Sequence, residues 1–568
     1  MPNVQLANSI HSLPAGSVLQ HRTSPGEWIE VTLGLKRQKA LPSLAAMEKL
    51  KPRQRKYMTR DQLEKDYGPS PDAIKKITDY ANAHHMKVTR VEPGSARLRL
   101  GGTVQDVSSA FGVSLFDYKH DKLGSFHAHT GPVSVPQELS GLVTGVFGFN
   151  NHRHLRRNQG TMRPSVSSGM KSPLVPSPEE RTRKKASIGS SAVVHPKPAA
   201  TASPQPGTFT PPQVAALYNY PEGNGGGECI ALLEFGGGVE QDSITAYFDN
   251  LNIPAPNVLT IPVDNVSTDP TSDPDSTGEV MLDIEVAGSI CPSATIAVYF
   301  STFDEKGLID AISAVIADKQ NDPSVCSISW GWDENQPFQN SILWTPAAME
   351  AIGESFLAAA NLGITVCVST GDDGSEAQIE DGRAHVNYPA TDPSVLAVGG
   401  TTLHKSSGPQ PGIASEVVWN DGPGSGTGGG ISDYIAVPTW QNGFVPVSIN
   451  PGNFAGLGIP DVAANADPDT GYLTYAGGQF QVVGGTSAAA PMWAALIALC
   501  NQQLNARVGN FNALLYSTIG PNGVLNDITQ GDNDTDGLLN GEFPAGPGWD
   551  ACTGWGTPNG QALLSALQ

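Results

Sequence analysis

The chain has 568 residues with 34 Lys+Arg against 55 Asp+Glu, and its formal charge of −21 is spread very unevenly. Residues 1–200 carry 29 basic and 15 acidic side chains and residues 201–568 carry 5 and 40, so two electrostatically opposite pieces share one chain. The second piece is excluded as a nucleic-acid binder because phosphate affinity rests on Lys and Arg, and 39% hydrophobic content excludes wholesale disorder. Few basic groups also suit acid. Carboxylates neutralise as pH falls while Lys and Arg stay charged, so a low basic count limits self-repulsion. The longest apolar stretch near the C-terminus, Ala488 to Cys500, falls short of the roughly 20 residues a membrane span needs, so no membrane association is expected. Residues 1–25 show no apolar core of a signal peptide.

In chain order, Asp72 to Met86 reads as a helix, Lys87 to Leu100 as a strand or hairpin, and Val104 to Phe111 as a second helix. Extended segments follow at 114–119 and 125–135, giving a mixed α+β domain over residues 1–155. Residues 156–205 dissolve into Arg, Lys, Ser, Pro and Ala, including Glu179 to Lys185, and read as an exposed linker open to proteolysis. After Pro211, short apolar runs alternate with helices: Glu228 to Phe235, helix 240–251, Ala294 to Phe300, helix 306–318, Val325 to Trp330, helix 343–362 and Thr365 to Thr370. Such alternation predicts an α/β fold, a parallel sheet covered on both faces with its site at the carboxyl ends of the strands. Three of those ends are polar or Gly-rich: Glu234 to Gly238, Ser329 to Gly331, and Ser369 to Gly374. All six cysteines follow residue 200 and none forms C-x-x-C, which argues against a zinc or thioredoxin-like site. Cys229, Cys326 and Cys367 sit in apolar runs and are expected as small buried hydrophobes.

The most specific motif is Gly485-Thr486-Ser487-Ala488-Ala489-Ala490-Pro491 before an apolar helix, Met492 to Cys500. Ser487 at a helix N-terminus lies where the dipole and open N–H groups favour developing negative charge, and G-T-S-x-x-x-P is the nucleophile pattern of subtilisin-like peptidases. A serine nucleophile needs a base. After residue 200 the histidines are His385 and His404, neither of which precedes Gly, so the base is not expected to be histidine. Gly278 to Gly288 offers the alternative. Glu279 and Asp283, at i and i+4, share one face of an apolar helix, where two carboxylates are costly unless they share a proton or face a polar site. Glu285 lies about 240° round that helix from Glu279.

These residues carry a resemblance. With Leu233 to Gly238, Gly278 to Glu285, Ser327 to Gly331, Gly371-Asp372, Val418 to Gly422 and Gly484 to Pro491, the chain resembles the sedolisins, the serine-carboxyl peptidases, and most of all their kumamolisin-like members. The resemblance implies a subtilisin-like catalytic domain over 206–568, with a parallel sheet flanked by helices, behind an α+β, ferredoxin-like pro-domain. It implies Ser487 as nucleophile, Glu279 as general base, Asp283 as the partner tuning Glu279, Asp372 as oxyanion stabiliser, and Glu234 and Trp330 as extensions of the network. Asp373 departs from the Ser of many relatives. One Ca²⁺ ion is implied too, held by Asp527 and Asp550 and by carbonyls of Ile528, Gly546 and Gly548. Asp532 to Gly537 imitates half an EF-hand loop, but position 12 would be Phe543 rather than Glu.

The expected function is an acid-acting serine-carboxyl endopeptidase, secreted and monomeric, made as a self-processing zymogen cut within the linker. Its expected partners are protein or peptide substrates and its own pro-domain. A tripeptidyl exopeptidase of the same family and a silent calcium-dependent binding protein are the alternatives.

Overall fold

A computed structural model describes residues 3–11, 13–121, 123–153, 203–334, 344–377, 379, 381–408 and 412–568, with backbone alone at 156–157 and 163–164. Most of the expected cleavage linker, including Glu179 to Lys185, lies outside the described residues.

The basic half is built from β1 (Trp28–Leu35), α1 (Pro71–Ala83), β2 (Lys87–Glu92), β3 (Arg97–Thr103), α2 (Val104–Phe111) and β4 (Val143–Phe147). The sheet runs β2-β3-β1-β4 with every pair antiparallel, the ferredoxin-like order. Ser70 starts α1 by accepting the Ala73 N–H at 3.1 Å, and Thr103 starts α2 by accepting that of Asp106 at 3.2 Å. Helix α1 stops at Ala83 rather than Met86 because His85 takes φ +58° and Met86 turns into the core. Ile77, Val107 and Phe111 pack there on Val31, Leu33, Leu98 and Leu100.

The acidic half is built around one large sheet. Its elements are β5 (Cys229–Glu234), α3 (Gln241–Leu251), β6 (Asn257–Pro262), α4 (Pro274–Ile290), β7 (Thr295–Phe300), α5 (Glu305–Ala317), β8 (Val325–Ile328), β9 (Trp330–Asp333), α6 (Pro346–Asn361), β10 (Thr365–Ser369), β11 (Leu396–Lys405), β12 (Ile413–Val418), β13 (Val462–Asn465) and α7 (Thr486–Leu504). The order is β6-β7-β5-β8-β10-β11-β12, with β13 also on β11; all pairs are parallel except β11 with β12. Helices α4 and α7 share one core with Ile230, Leu232, Val298 and Val398. Helices α5 and α6 cover the other face, against Leu233, Ala297 and Val368. All six cysteines are buried and free, including the three expected as hydrophobes.

Two expectations are corrected. The strand over Val325 to Trp330 breaks at Ser329: β8 stays in the main sheet, while β9 leaves it to pair with Asn387–Tyr388. The helix after Pro491 in fact begins at Thr486, so the proline lies inside it. Its missing N–H would have bonded the carbonyl of residue 487.

The two halves meet on α5 and α6 through charge. Arg99 of β3 is buried against Asp264 at 2.7 Å and Asp310 at 3.5 Å, and Lys306 reaches the same two carboxylates at 2.8 and 2.7 Å. Thr32 donates to Asp310 at 2.8 Å, Arg97 donates to the Ala351 carbonyl at 2.6 Å, and Arg37 pairs with Glu354 at 2.6 Å. Buried ions are tolerated when they are paired with opposite charge.

Candidate active site

Strands β5, β8 and β10 are neighbours in the sheet, so the three polar strand ends singled out in the sequence converge. Glu234 closes β5, Ser329 follows β8, and Gly371-Asp372 follows β10. The first turn of α7 lies over them. Gly485 at φ +114° caps that helix, a backbone state that favours glycine, and Ser487 is fully buried in the first turn. The Ser487 Oγ donates to the Ser329 carbonyl at 3.3 Å.

Helix α4 supplies the carboxylates. Asp273 caps it by accepting the Ser276 N–H at 3.2 Å, Pro274 opens it, and every residue from Ser276 to Ile290 is buried, as a helix apolar on all sides requires. Glu279, Asp283 and Glu285 are all 0% exposed. Asp283 Oδ2 meets the Ser329 hydroxyl at 2.7 Å. Trp330 Nε1 donates to Glu234 Oε2 at 3.0 Å. Burial, with the Glu234 charge second, pushes the Asp283 carboxyl well above the ordinary range against the Ser329 hydrogen bond. Burial and then the Glu279 charge push Glu234 up in the same way, against the Trp330 bond. Glu234 thus couples to both α4 carboxyls. Glu285 lies apart, as its angle on the helix implied, and accepts the Tyr475 N–H at 2.9 Å.

Asp372 is held by the residue before the serine. Its Oδ1 accepts the Thr486 N–H at 2.8 Å and the Thr486 hydroxyl at 2.7 Å. Gly371 takes φ +106°, and a Cβ there would meet Asn387 Nδ2 at 2.2 Å. The EF-hand-like segment is tied by hydrogen bonds to the chain near Asp372. Asn533 accepts the Ser375 N–H at 2.9 Å and donates to the carbonyls of Thr427 and Gly429 at 3.1 and 3.3 Å, bracing the loop that carries Asp372. Both Asp534 oxygens accept loop N–H groups, from Leu539 at 3.2 Å and Gly541 at 2.6 Å.

Neither histidine reaches this site. His385 lies between Asp333 at 2.6 Å and Asp381 at 2.9 Å; burial works to lower its pKa, but the two carboxylates outweigh it and push it up to about 9. His404 is exposed on β11.

The chain leaving the basic half passes along the site. Arg156 and Arg157 pair antiparallel with Gly331 and Trp330 of β9, and Arg163 and Pro164 pair with Val482 and Gln481 on the hairpin strand Gln479–Val483.

Four of the expected calcium residues, Asp527, Gly546, Gly548 and Asp550, come together at one loop. Gly548 N–H donates to Asp527 at 2.9 Å and Gly546 N–H to Asp550 at 3.2 Å, so both carboxylates bracket the segment whose carbonyls were expected as ligands. Carboxylate and carbonyl oxygens are the hard donor set Ca²⁺ prefers, and these residues fit that ion. Elsewhere, the carboxylates of Asp421, Asp467 and Asp469 also stand close enough to hold a metal.

Comparison with known proteins shows the family. Residues 15–152 match the pro-kumamolisin activation domain and residues 271–556 match the subtilase family. The chain is 41% identical to kumamolisin of Bacillus sp. (strain MN-32), over 95% of this chain and 91% of that one. It is 25% identical to tripeptidyl-peptidase sed5 of Aspergillus fumigatus, over 99% and 97% of the two chains. The solved structure of Pseudomonas sedolisin, complexed with pseudo-iodotyrostatin, superposes with a TM-score of 0.55 at 28% identity, over 63% of this chain and 97% of that one. The chain belongs to the sedolisin family of serine-carboxyl peptidases, with kumamolisin-like features and an N-terminal activation domain.

Sequence reasoning marked Ser329 as part of a polar strand end and Asn533 as part of an EF-hand-like run, but gave neither a role of its own.

Proposed function

We propose that the chain is the zymogen of an acid-acting endopeptidase. The observation that carries this reading is the gathering of buried carboxyl side chains from β5, α4 and the end of β10 around the first turn of α7, away from either imidazole. Ser487 Oγ attacks the scissile carbonyl while its proton passes to the Glu279 carboxylate. That proton then goes to the leaving amine, and water repeats the sequence to release the acyl group. Asp283 orients Glu279, and Glu234 with Trp330 extends the network. Asp372 donates a hydrogen bond to the oxyanion, which a carboxyl can do only when protonated. A glutamate with a reference pKa of ~4.3 remains a usable base where imidazole, at ~6.5, is already charged.

Endopeptidase action is favoured over release of tripeptides by the pairing on β9. An internal stretch of chain lies along that strand and a second pairing follows at Gln481–Val482, so the cleft accepts a chain that continues on both sides. A denatured protein with a blocked N-terminus tests this: internal cleavage at acid pH is expected, and loss of activity on blocking would overturn it.

The same pairing accounts for latency, because the chain that would be cut fills the substrate strand's place until release. Acid weakens the docking charges with a defined sign. Burial raises Asp310, but Lys306 and Arg99 outweigh it and hold the carboxyl below its ordinary value, so its contribution is lost only as pH falls through that lowered pKa. Burial and the Asp310 charge push Asp264 up, so its protonation favours the docked state, and the loss of docking in acid falls to Asp310. The cut itself belongs to the linker over 156–205, with the activation domain before it and the peptidase domain after.

Asp527, Asp550 and the carbonyls of Ile528, Gly546 and Gly548 would hold one Ca²⁺ ion, which supplies stability rather than chemistry. A chelator should lower the melting temperature; at a hundredfold excess over Kd the bound ion is worth about 2.7 kcal/mol. An unchanged melting temperature counts against the site. The reading extends to action on proteins outside the cell, by a monomer. Among the described residues no helix is long and apolar enough to cross a membrane.

A further inference from the structure

We propose that Ser329 is a positioning residue whose hydroxyl ties Asp283 to the main chain of the nucleophile turn, and that Pro491 keeps the Ser487 carbonyl open to receive it. The inference rests on the roles given above to Ser487, Glu279 and Asp283.

Ser329 and Ser487 hold each other at two points. The Ser487 hydroxyl donates to the Ser329 carbonyl at 3.3 Å, and the Ser329 hydroxyl faces the Ser487 carbonyl at 3.2 Å. An α-helix would normally occupy that carbonyl with the N–H of residue 491, but residue 491 is proline and has none. An interior proline ordinarily destabilises a helix, in part through the acceptor it leaves unmatched. Here the acceptor has a partner from another element.

Proton counting gives the arrangement its direction. Ser329 has one hydroxyl proton and two acceptors, Asp283 Oδ2 at 2.7 Å and the Ser487 carbonyl at 3.2 Å. While Asp283 is ionised, the proton points to Asp283 and the Ser487 carbonyl goes without. Once Asp283 is protonated, the carboxyl donates to Ser329 Oγ, and Ser329 turns its own proton to the Ser487 carbonyl. The charge on Asp283 is thereby read out at the backbone of the nucleophile. Besides Ser329, the charged group facing Asp283 is Glu234 from β5, which in turn faces Glu279 of α4. Ser329 is a neutral hydrogen-bond donor to the ionised form among them. Removing it takes support from that form and moves the titration of the carboxyl group upward.

The test compares Ser329→Ala, Pro491→Ala, Asp283→Asn and Glu279→Gln in the mature enzyme, reading kcat and KM across pH 2–7 on one peptide. Ser329→Ala should lower kcat roughly 10-fold with KM little changed, as loss of one hydrogen bond in a buried network implies. Its acid limb should move to higher pH. Pro491→Ala restores a competing N–H and should lower kcat without moving the limb. On the Asp283→Asn background, Ser329→Ala should shift no limb at all. Wild-type kcat and an unmoved limb in Ser329→Ala, with Glu279→Gln and Asp283→Asn impaired, would overturn the inference alone. Full activity of Glu279→Gln would overturn the catalytic reading beneath it.

Discussion

Ser487→Ala should leave the precursor uncut at every pH and remove turnover by about a million-fold, the scale on which a serine peptidase loses its nucleophile. Glu279→Ala should fall nearly as far, because nucleophile and base act as one unit and removing either leaves only binding and oxyanion stabilisation. Neither change should unfold the protein. Ser487 sits in a helix turn where alanine is a good helix former, and Glu279→Ala removes a buried carboxyl. The check is single-turnover kinetics on both mature variants, together with the integrity of the Ser487→Ala precursor after days in acid. Processing of that precursor without added protease would exclude self-cleavage, and near-native turnover in Glu279→Ala would remove Glu279 from the role of base.

The second large effect belongs to Asp372. Asp372→Ala should lower kcat by about 10²- to 10³-fold, the usual cost of one oxyanion donor, with KM little changed. Asp372→Asn separates donor from charge. Its amide oxygen can take over the two Thr486 bonds that Oδ1 accepts now, and its NH₂ donates at any pH. The asparagine variant should therefore keep far more activity than the alanine variant and lose less of it as pH rises. Equal losses in the two variants would mean that Asp372 acts through something other than a donated hydrogen bond.

Much of this was open to reading from sequence, for physical reasons particular to each element. The parallel strands are short apolar runs, and the cost of burying unpaired backbone leaves few alternatives for Cys229–Glu234 or Thr365–Ser369. Glu279 and Asp283 stood out because carboxylates on an apolar helix need a reason. What stayed hidden depends on partners far along the chain. The break after Ile328 exists because the Ser329 carbonyl and hydroxyl turn to α7 instead of the ladder, and nothing local to Val325–Trp330 encodes that. Arg97-Leu98-Arg99-Leu100 alternates as a half-solvated strand would, yet both arginines are buried once β3 meets α5 and α6. Asp532 to Gly537 has the acidic spacing of a cation loop, while the part Asn533 plays is carried by hydrogen bonds to Ser375, Thr427 and Gly429, more than a hundred residues earlier.

The uneven charge of the chain takes on structural meaning in the same contacts. The basic half contributes Arg37, Arg97 and Arg99, and the acidic half meets them with Asp264, Asp310 and Glu354. The few cations of the acidic half are used sparingly: Lys306 joins that network, and Arg383 pairs with Asp433 at 2.9 Å.

The claim at the centre of this account is that carboxyl groups, not an imidazole, perform the proton transfers and the oxyanion donation. The most direct measurement is the pH dependence of kcat for the mature enzyme on one internally cleaved peptide from pH 2 to 8. A base with a glutamate's pKa and a donor that must stay protonated place the maximum at about pH 3–5, with activity falling steeply toward neutrality. A maximum near pH 7 or above would contradict the account.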